Sequence, residues 1–153
     1  MEIMGSAMHP ENLLRWRELV NIGKDPERPY ISGTTVLDAY WRTLFMNVDP
    51  QGDSKNSHKT ADSKTRALHD DWWWKILLRV NYGDVPDVKS DIPESAFEQV
   101  STHVAMAISG RKIFIARKGY IGLSPENVQI GDQLWVLRSR KLPFLLCPLQ
   151  RDE

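Results

Sequence analysis

The chain has few of the features that would assign it to a special class of protein. Its 153 residues include a single cysteine, Cys147, which cannot form an internal disulfide. This fits a reducing compartment, and we expect a cytoplasmic protein. No run approaches the roughly 20 apolar residues of a membrane span, and the N-terminus lacks the pattern of a secretory signal. Because Cys147 follows the apolar run LPFLL, we predict a buried, unreactive thiol.

A charge excess of one sign is also absent. Lys plus Arg and Asp plus Glu both number 20, so the formal net charge is zero. A dedicated nucleic-acid binder usually carries a large basic excess, and we therefore expect none. Residues 110–153 hold eight basic and four acidic residues, which we interpret as a solvated basic face. We expect the partner to be a protein.

The sequence also lacks the spacings that catalysis and metal binding require. It has no phosphate-binding loop and no nucleophile elbow, and no histidine has metal-ligand spacing with another candidate ligand. The pair Gly119 and Gly122 does not make a dinucleotide fingerprint, which needs three glycines that open a helix. We predict no catalytic residue, no cofactor and no metal, and hence no enzyme.

One polar cluster leaves an alternative open. His69, Asp70 and Asp71 are consecutive, and acidic residues favour the first turns of a helix, which explains the cluster without chemistry. His103 lies beside an apolar helical face, where a histidine usually has a structural role. A small hydrolase or nucleotide-binding domain built around these residues is the alternative.

Up to residue 109 the apolar residues recur at helical spacing, so residues 1–109 are predicted to be mostly helical. Thr35 and Asp38 have the spacing of a capping box, as do Asp91 and Glu94. Residues 49–65 are polar throughout and cannot bury enough apolar surface to offset ordering. We predict a mobile loop that joins two helices.

The triple tryptophan at residues 72–74 suggests a ligand-stacking surface, but its spacing favours a core. Trp72 continues the row of Leu68 and Ile76, and Trp73 lies in the adjacent row, so both are predicted to be buried. Trp74 then points outward and is the candidate partner surface.

After Gly110 the apolar residues alternate, which predicts a small antiparallel β unit over residues 110–149. We expect strands in RKIFIARK, QLWVLRS and KLPFLLCPL, with GYIGLSPENVQI as a connection. Turn chemistry accounts for the glycines: Gly119 fits a position with positive φ, and Gly131 with Asp132 fits a tight turn. The prediction is one α+β domain, residues 1–153, in which a helical bundle packs against a partly open, barrel-like sheet.

Residues 111–149 resemble the C-terminal segment of the fungal heterokaryon-incompatibility protein family, and AYWRTLFMNVD at 39–49 resembles a helical element that precedes it there. The family motif residues, to which we assign a structural role, are Gly119, Tyr120, Gly122, Leu123, Pro125, Gly131, Asp132, Pro143 and Phe144. No stretch resembles the family's N-terminal heterokaryon-incompatibility domain. The family usually continues with further strands after this segment, so we expect an open sheet edge here.

The resemblance implies a non-enzymatic accessory or regulatory region of an allorecognition protein that takes part in programmed cell death through protein contacts. Trp74, the basic face and the open edge are its candidate contact surfaces. A truncated remnant without function is a further alternative to the hydrolase or nucleotide-binding hypothesis.

Overall fold

The computed structural model describes residues 2–4, 10–51, 59–82, 92–136 and 143–147. The described part contains four helices and five strands. In chain order they are β1 (Glu2–Met4), α1 (Pro10–Leu19), α2 (Val36–Leu44), α3 (Ser63–Tyr82), α4 (Glu94–Ile108), β2 (Arg111–Ile115), β3 (Ile121–Pro125), β4 (Gln133–Val136) and β5 (Pro143–Leu146). Helices followed by a small antiparallel sheet confirm the predicted α+β class.

The helices pack around a core of large aromatic side chains. The largest fully buried aromatic side chains are Trp16, Tyr40, Trp41, Phe45 and Trp72. These side chains come from α1, α2 with its C-cap, and α3. The three helices therefore contribute to one shared core. Of the helices that the structure describes, none combines the length and the apolar character needed to cross a membrane.

Helix α2 begins as the sequence predicts, with half of the expected capping box. The hydroxyl of Thr35 accepts a hydrogen bond from the Asp38 backbone N–H at 3.1 Å. The Asp38 carboxylate does not complete the box. It accepts hydrogen bonds from the Trp41 indole at 3.1 Å and from Arg42 Nε at 2.9 Å.

Helix α3 orients its three tryptophans as predicted. Trp72 and Trp73 are buried, whereas Trp74 is 56% exposed. The Trp72 indole N–H donates to Ser101 Oγ at 2.9 Å, which joins α3 to α4. Lys75 and Arg79 both form ion pairs with Glu94 at the start of α4.

The polar segment between α2 and α3 differs from the prediction at its ends. Residues 52–58 lie outside the described residues. The two ends are tied together, because Asp49 N–H donates to the Lys59 carbonyl at 2.9 Å and Ala61 N–H donates to the Asn47 carbonyl at 3.1 Å. Thr65 is buried within α3. The predicted mobile loop 49–65 is therefore too long, since local polarity does not reveal backbone pairing between its ends.

Helix α4 buries the apolar face that its spacing predicts. Its start is different, because Pro93 is the N-cap and provides no capping side chain; Asp91 lies outside the described residues. The helix ends at Ile108, and Gly110 follows with φ +64°. This left-handed backbone, which suits glycine, turns the chain directly into β2.

The strands form two small antiparallel sheets that do not close. One has the order β1–β2–β3, and the other consists of β4 and β5. Two of these strands were not predicted. Residues 2–4 pair with residues 113–115 of β2, and IGLSP, which we expected to be part of a connection, forms β3 along the other side of β2. The turn after β3 runs from Pro125 to Val128, where the Val128 N–H donates to the Pro125 carbonyl at 3.2 Å.

Two further expectations are wrong. Cys147 is exposed, because it follows the end of β5, past the apolar run. Gly122 does not lie in a turn but in the middle of β3, directly opposite Phe114 in the register. A Cβ at Gly122 would lie 2.6 Å from Phe114 Cζ and 2.7 Å from Cε1. The glycine is therefore required because the Phe114 ring lies over its backbone.

We predict that Gly122→Ala destabilises the protein by about 1–3 kcal/mol, since the added methyl group must displace the buried Phe114 ring. The measurement is chemical denaturation followed by far-UV circular dichroism. Gly23→Ala is the matched control, because no atom lies within 4 Å of the position of its added Cβ. We expect that change to be neutral or to stabilise by up to about 1 kcal/mol.

The same substitution in a Phe114→Leu background separates packing from backbone effects. With the ring removed, Gly122→Ala should cost much less stability than in the native sequence. Equal costs in the two backgrounds would show that Phe114 is not the reason for the glycine.

Candidate functional site

A groove of about 840 Å³ lies between the β2–β3 turn and β4. This volume is in the range of small-ligand sites. The groove is lined by Phe114, Ala116, Arg117, Lys118, Tyr120, Gly131, Asp132, Gln133, Leu134 and Trp135. Every residue of this set lies within the stretch that carries the family motif.

The β2–β3 turn builds one wall of the groove. Ala116 N–H donates to the Tyr120 carbonyl at 2.8 Å, and Gly119 N–H donates to the Ala116 carbonyl at 2.7 Å. Gly119 has φ +92°, which confirms the predicted positive φ at this position. The tight turn leaves Arg117 and Lys118 exposed at its tip and Tyr120 45% exposed at its end.

The turn before β4 builds the opposite wall. The Asp132 carboxylate accepts a hydrogen bond from Gln129 N–H at 2.9 Å, and Asp132 N–H donates to the Gln129 carbonyl at 3.2 Å. Gly131 has φ +109°, so the predicted tight turn at Gly131–Asp132 is confirmed. The turn leads into β4, where Trp135 is 50% exposed and its indole donates to Gln133 Oε1 at 3.1 Å.

Three motif residues, Tyr120, Gly131 and Asp132, line the groove. Others support its frame. Leu123 packs against the helical core and Pro125 ends β3, while Pro143 and Phe144 pair with Val136 and Trp135 in the second sheet. The motif residues thus form part of the groove surface as well as the turns predicted for them.

Trp135 is not recognisable as a surface residue from the sequence, because strand alternation alone does not reveal which face is solvated. Arg117 and Lys118 belong to the predicted basic face. Trp74, the predicted partner surface, is exposed on α3 but does not line this groove. The two candidate surfaces are separate sets of residues.

His69 lies in the core and not at a surface. It is fully buried, with its ring 5.6–6.2 Å from those of Trp41, Phe45 and Trp72. Its Nδ1 lies 2.9 Å from Asp70 Oδ1, whereas its Nε2 is buried and has no hydrogen-bond partner among the residues that the structure describes. Burial lowers the pKa of His69, against the opposing effect of the Asp70 carboxylate.

The three residues of the polar cluster differ in their surroundings. They lie in the second and third turns of α3 and not at its start, because the helix begins at Ser63. Asp70 is exposed and forms an ion pair with Arg66 at 2.9 Å, and Asp71 is also exposed. His103 is not part of this cluster. Its Nε2 lies 3.0 Å from the carbonyl oxygen of Phe45. Among the residues that the structure describes, no group of three or more His, Cys, Asp or Glu side chains is placed to hold a metal ion.

The C-terminal part of the chain is similar to a known protein family. Residues 91–153 match the family described as the Het-6 beta-barrel domain. This region includes α4, the strands β2 to β5 and the whole groove. No curated protein and no solved structure matches the chain.

We predict that acidification destabilises the protein through His69. In the unfolded chain this side chain titrates near its ordinary pKa of 6.5, whereas in the folded protein its pKa is lower. Below pH 6.5 the unfolded chain therefore takes up a proton that the native protein does not, and the stability from neutral His69 is lost as the pH falls. The slope of unfolding free energy from this group approaches about 1.4 kcal/mol per pH unit.

The measurement is a series of urea denaturations that starts at pH 7.5 and continues to values below 6.5, for the native sequence and for His69→Gln. The variant keeps a polar donor near Asp70 but cannot titrate, so its stability should change less with pH over this range. If the two proteins lose stability in parallel, His69 is not the group that causes the loss.

Proposed function

Residues 91–153 are a heterokaryon-incompatibility-related region, and from this premise we propose that they act as a non-enzymatic accessory or regulatory region of a fungal allorecognition protein. In this proposal the region binds a partner protein in the cytoplasm, and the groove between the β2–β3 turn and β4 is the contact surface. The contact controls a cell-death response.

One observation carries the proposal. Tyr120 and Trp135 are each about half exposed, and they stand on opposite walls of one groove. Large aromatic side chains cost free energy when they are left in water, and tyrosine and tryptophan are enriched at the centres of protein interfaces. A protein partner would bury both.

The positions of the two candidate catalytic histidines also support a non-enzymatic role. His69 is enclosed by aromatic rings, and His103 is occupied by the Phe45 carbonyl. A general acid or base has to reach a substrate within hydrogen-bond distance. Packing and local hydrogen bonds account for the places of these two side chains in the fold.

Site-specific photo-crosslinking tests this proposal. A photoreactive phenylalanine analogue replaces Tyr120 or Trp135 in the protein expressed in the fungus that encodes it. We expect discrete protein adducts from both positions after irradiation. Ile31 is the control position, because it is also exposed but lies in the loop before α2, away from the residues that line the groove.

The second part of this test is the incompatibility reaction itself. The double variant Tyr120→Ala/Trp135→Ala should weaken or abolish cell death on contact between incompatible strains, while Ile31→Ala should not. A further variant carries the analogue at the exposed Trp74 of α3. Adducts at residue 74 but not at 120 or 135 would move the contact surface to α3. If none of these positions gives an adduct, the protein-contact role is wrong.

A further inference from the structure

The groove exposes the edge of a strand and not only a face. Its second wall is made by the consecutive residues 131–135. Side chains alternate between the two faces of a strand, so a strand that presents one face to a cavity lines it with every second residue. A wall of consecutive residues, which includes Leu134 as well as Gln133 and Trp135, indicates that β4 lies edge-on to the groove.

This edge has no pairing partner within the part of the chain that the structure describes. There, β4 pairs with β5 on one side only, with Gln133 opposite Leu146 and Val136 opposite Pro143. In the first sheet, contacts cover the central strand and part of the β3 edge. β2 lies between β1 and β3, and the Ile121 N–H of β3 donates to the hydroxyl of Tyr30 at 2.8 Å.

We propose that the groove binds an extended, acidic segment of the partner protein, which adds as an antiparallel or parallel strand to the edge of β4. This inference rests on the proposed function and specifies the chemistry of its partner. Strand addition satisfies the backbone groups of an exposed edge and is a common mode of peptide recognition.

The charges of the groove favour an acidic segment. Arg117 and Lys118 are exposed at the tip of the β2–β3 turn, which faces β4 across the groove. The acidic residue of the lining, Asp132, already accepts a hydrogen bond from Gln129. Glutamate or aspartate on the added strand would therefore meet two cationic side chains, and such complementarity contributes to the specificity of binding.

Apolar side chains of the same segment would fill the groove. Phe114 and Leu134 contribute apolar surface to it, and Tyr120 and Trp135 provide aromatic walls. A volume of about 840 Å³ accommodates one or two large side chains. The segment should thus alternate acidic and apolar residues, so that its acidic side chains reach Arg117 and Lys118 and its apolar side chains fill the groove.

A binding measurement with defined peptides tests this inference. The probe is a fluorescein-labelled peptide of about ten residues that alternates glutamate with leucine and carries a central tryptophan. Fluorescence anisotropy should show saturable binding that weakens with added salt. A peptide with lysine in place of glutamate, and one with proline at two central positions, should each bind about ten-fold more weakly or not at all, through lost charge pairing and lost strand pairing.

Protein variants locate the binding. Arg117→Glu/Lys118→Glu should reverse the preference between the acidic and the basic peptide, and Trp135→Ala should weaken binding about ten-fold. Trp74→Ala is the matched control, because it removes an equally exposed tryptophan on α3. All three variants should leave the far-UV spectrum unchanged, which shows that they are folded.

Other results would overturn the inference. Equal binding of the proline peptide excludes strand addition, and equal binding of the basic peptide excludes the acidic partner. Binding of an oligouridylate that is lost in Arg117→Glu/Lys118→Glu would identify a nucleic-acid surface instead. A concentration-dependent dimer in light scattering that is lost in Trp135→Ala would identify a second copy of the chain as the occupant.

The peptide and crosslinking experiments fail independently. If adducts form at Tyr120 and Trp135 in the fungus but no acidic peptide binds, the protein-contact role stands and the chemistry inferred for the partner is wrong. If the acidic peptide binds but no adduct forms, the groove binds such segments and the proposed role in incompatibility is wrong.

Discussion

The packing of Phe45 holds the helical part of this protein together. Phe45 follows α2 as its C-cap and is fully buried. Its ring lies 6.1 Å from Trp41, 5.6 Å from His69 and 6.3 Å from Trp72, mostly in edge-to-face geometry. Its carbonyl contacts His103 of α4. One residue thus joins three helices, and aromatic pairs of this kind contribute beyond the area they bury.

The β unit takes its position from this junction. Helix α4 passes through Gly110 into β2, and Arg111 donates to the Ala107 carbonyl at 2.6 Å, so strand and helix are fixed to each other. Ile113 of β2 is part of the same buried core as the helices. The orientation of the β2–β3 turn, and with it one wall of the groove, therefore depends on the helical packing.

Residues outside the matched region complete the first sheet. The family match starts at residue 91, yet β1 pairs with β2 and Tyr30 binds the backbone of β3. Both come from the first 30 residues of the chain. Exposed strand edges promote unwanted association, and these contacts cover two positions where it would occur. Within the described residues β4 has no pairing partner on its second side, and the groove beside it, with Arg117 and Lys118, is the reason for assigning the partner to that edge.

Local sequence patterns determined the helices, the orientation of Trp72, Trp73 and Trp74, and the glycines with positive φ, because these follow from periodicity and from the steric limits of single residues. The motif residues alone also determined the family resemblance of the C-terminal region. Only the tertiary structure decided that residues 2–4 and IGLSP are strands. Strand pairing joins residues that are far apart in sequence, and the glycine and proline of IGLSP would by themselves suggest a turn. The tertiary structure likewise decided that Gly122 accommodates the Phe114 ring and that His69 is enclosed. It also decided that Cys147 is exposed and that β4 lines the groove. Each of these features depends on contacts with residues that are distant in sequence, which local patterns do not reveal.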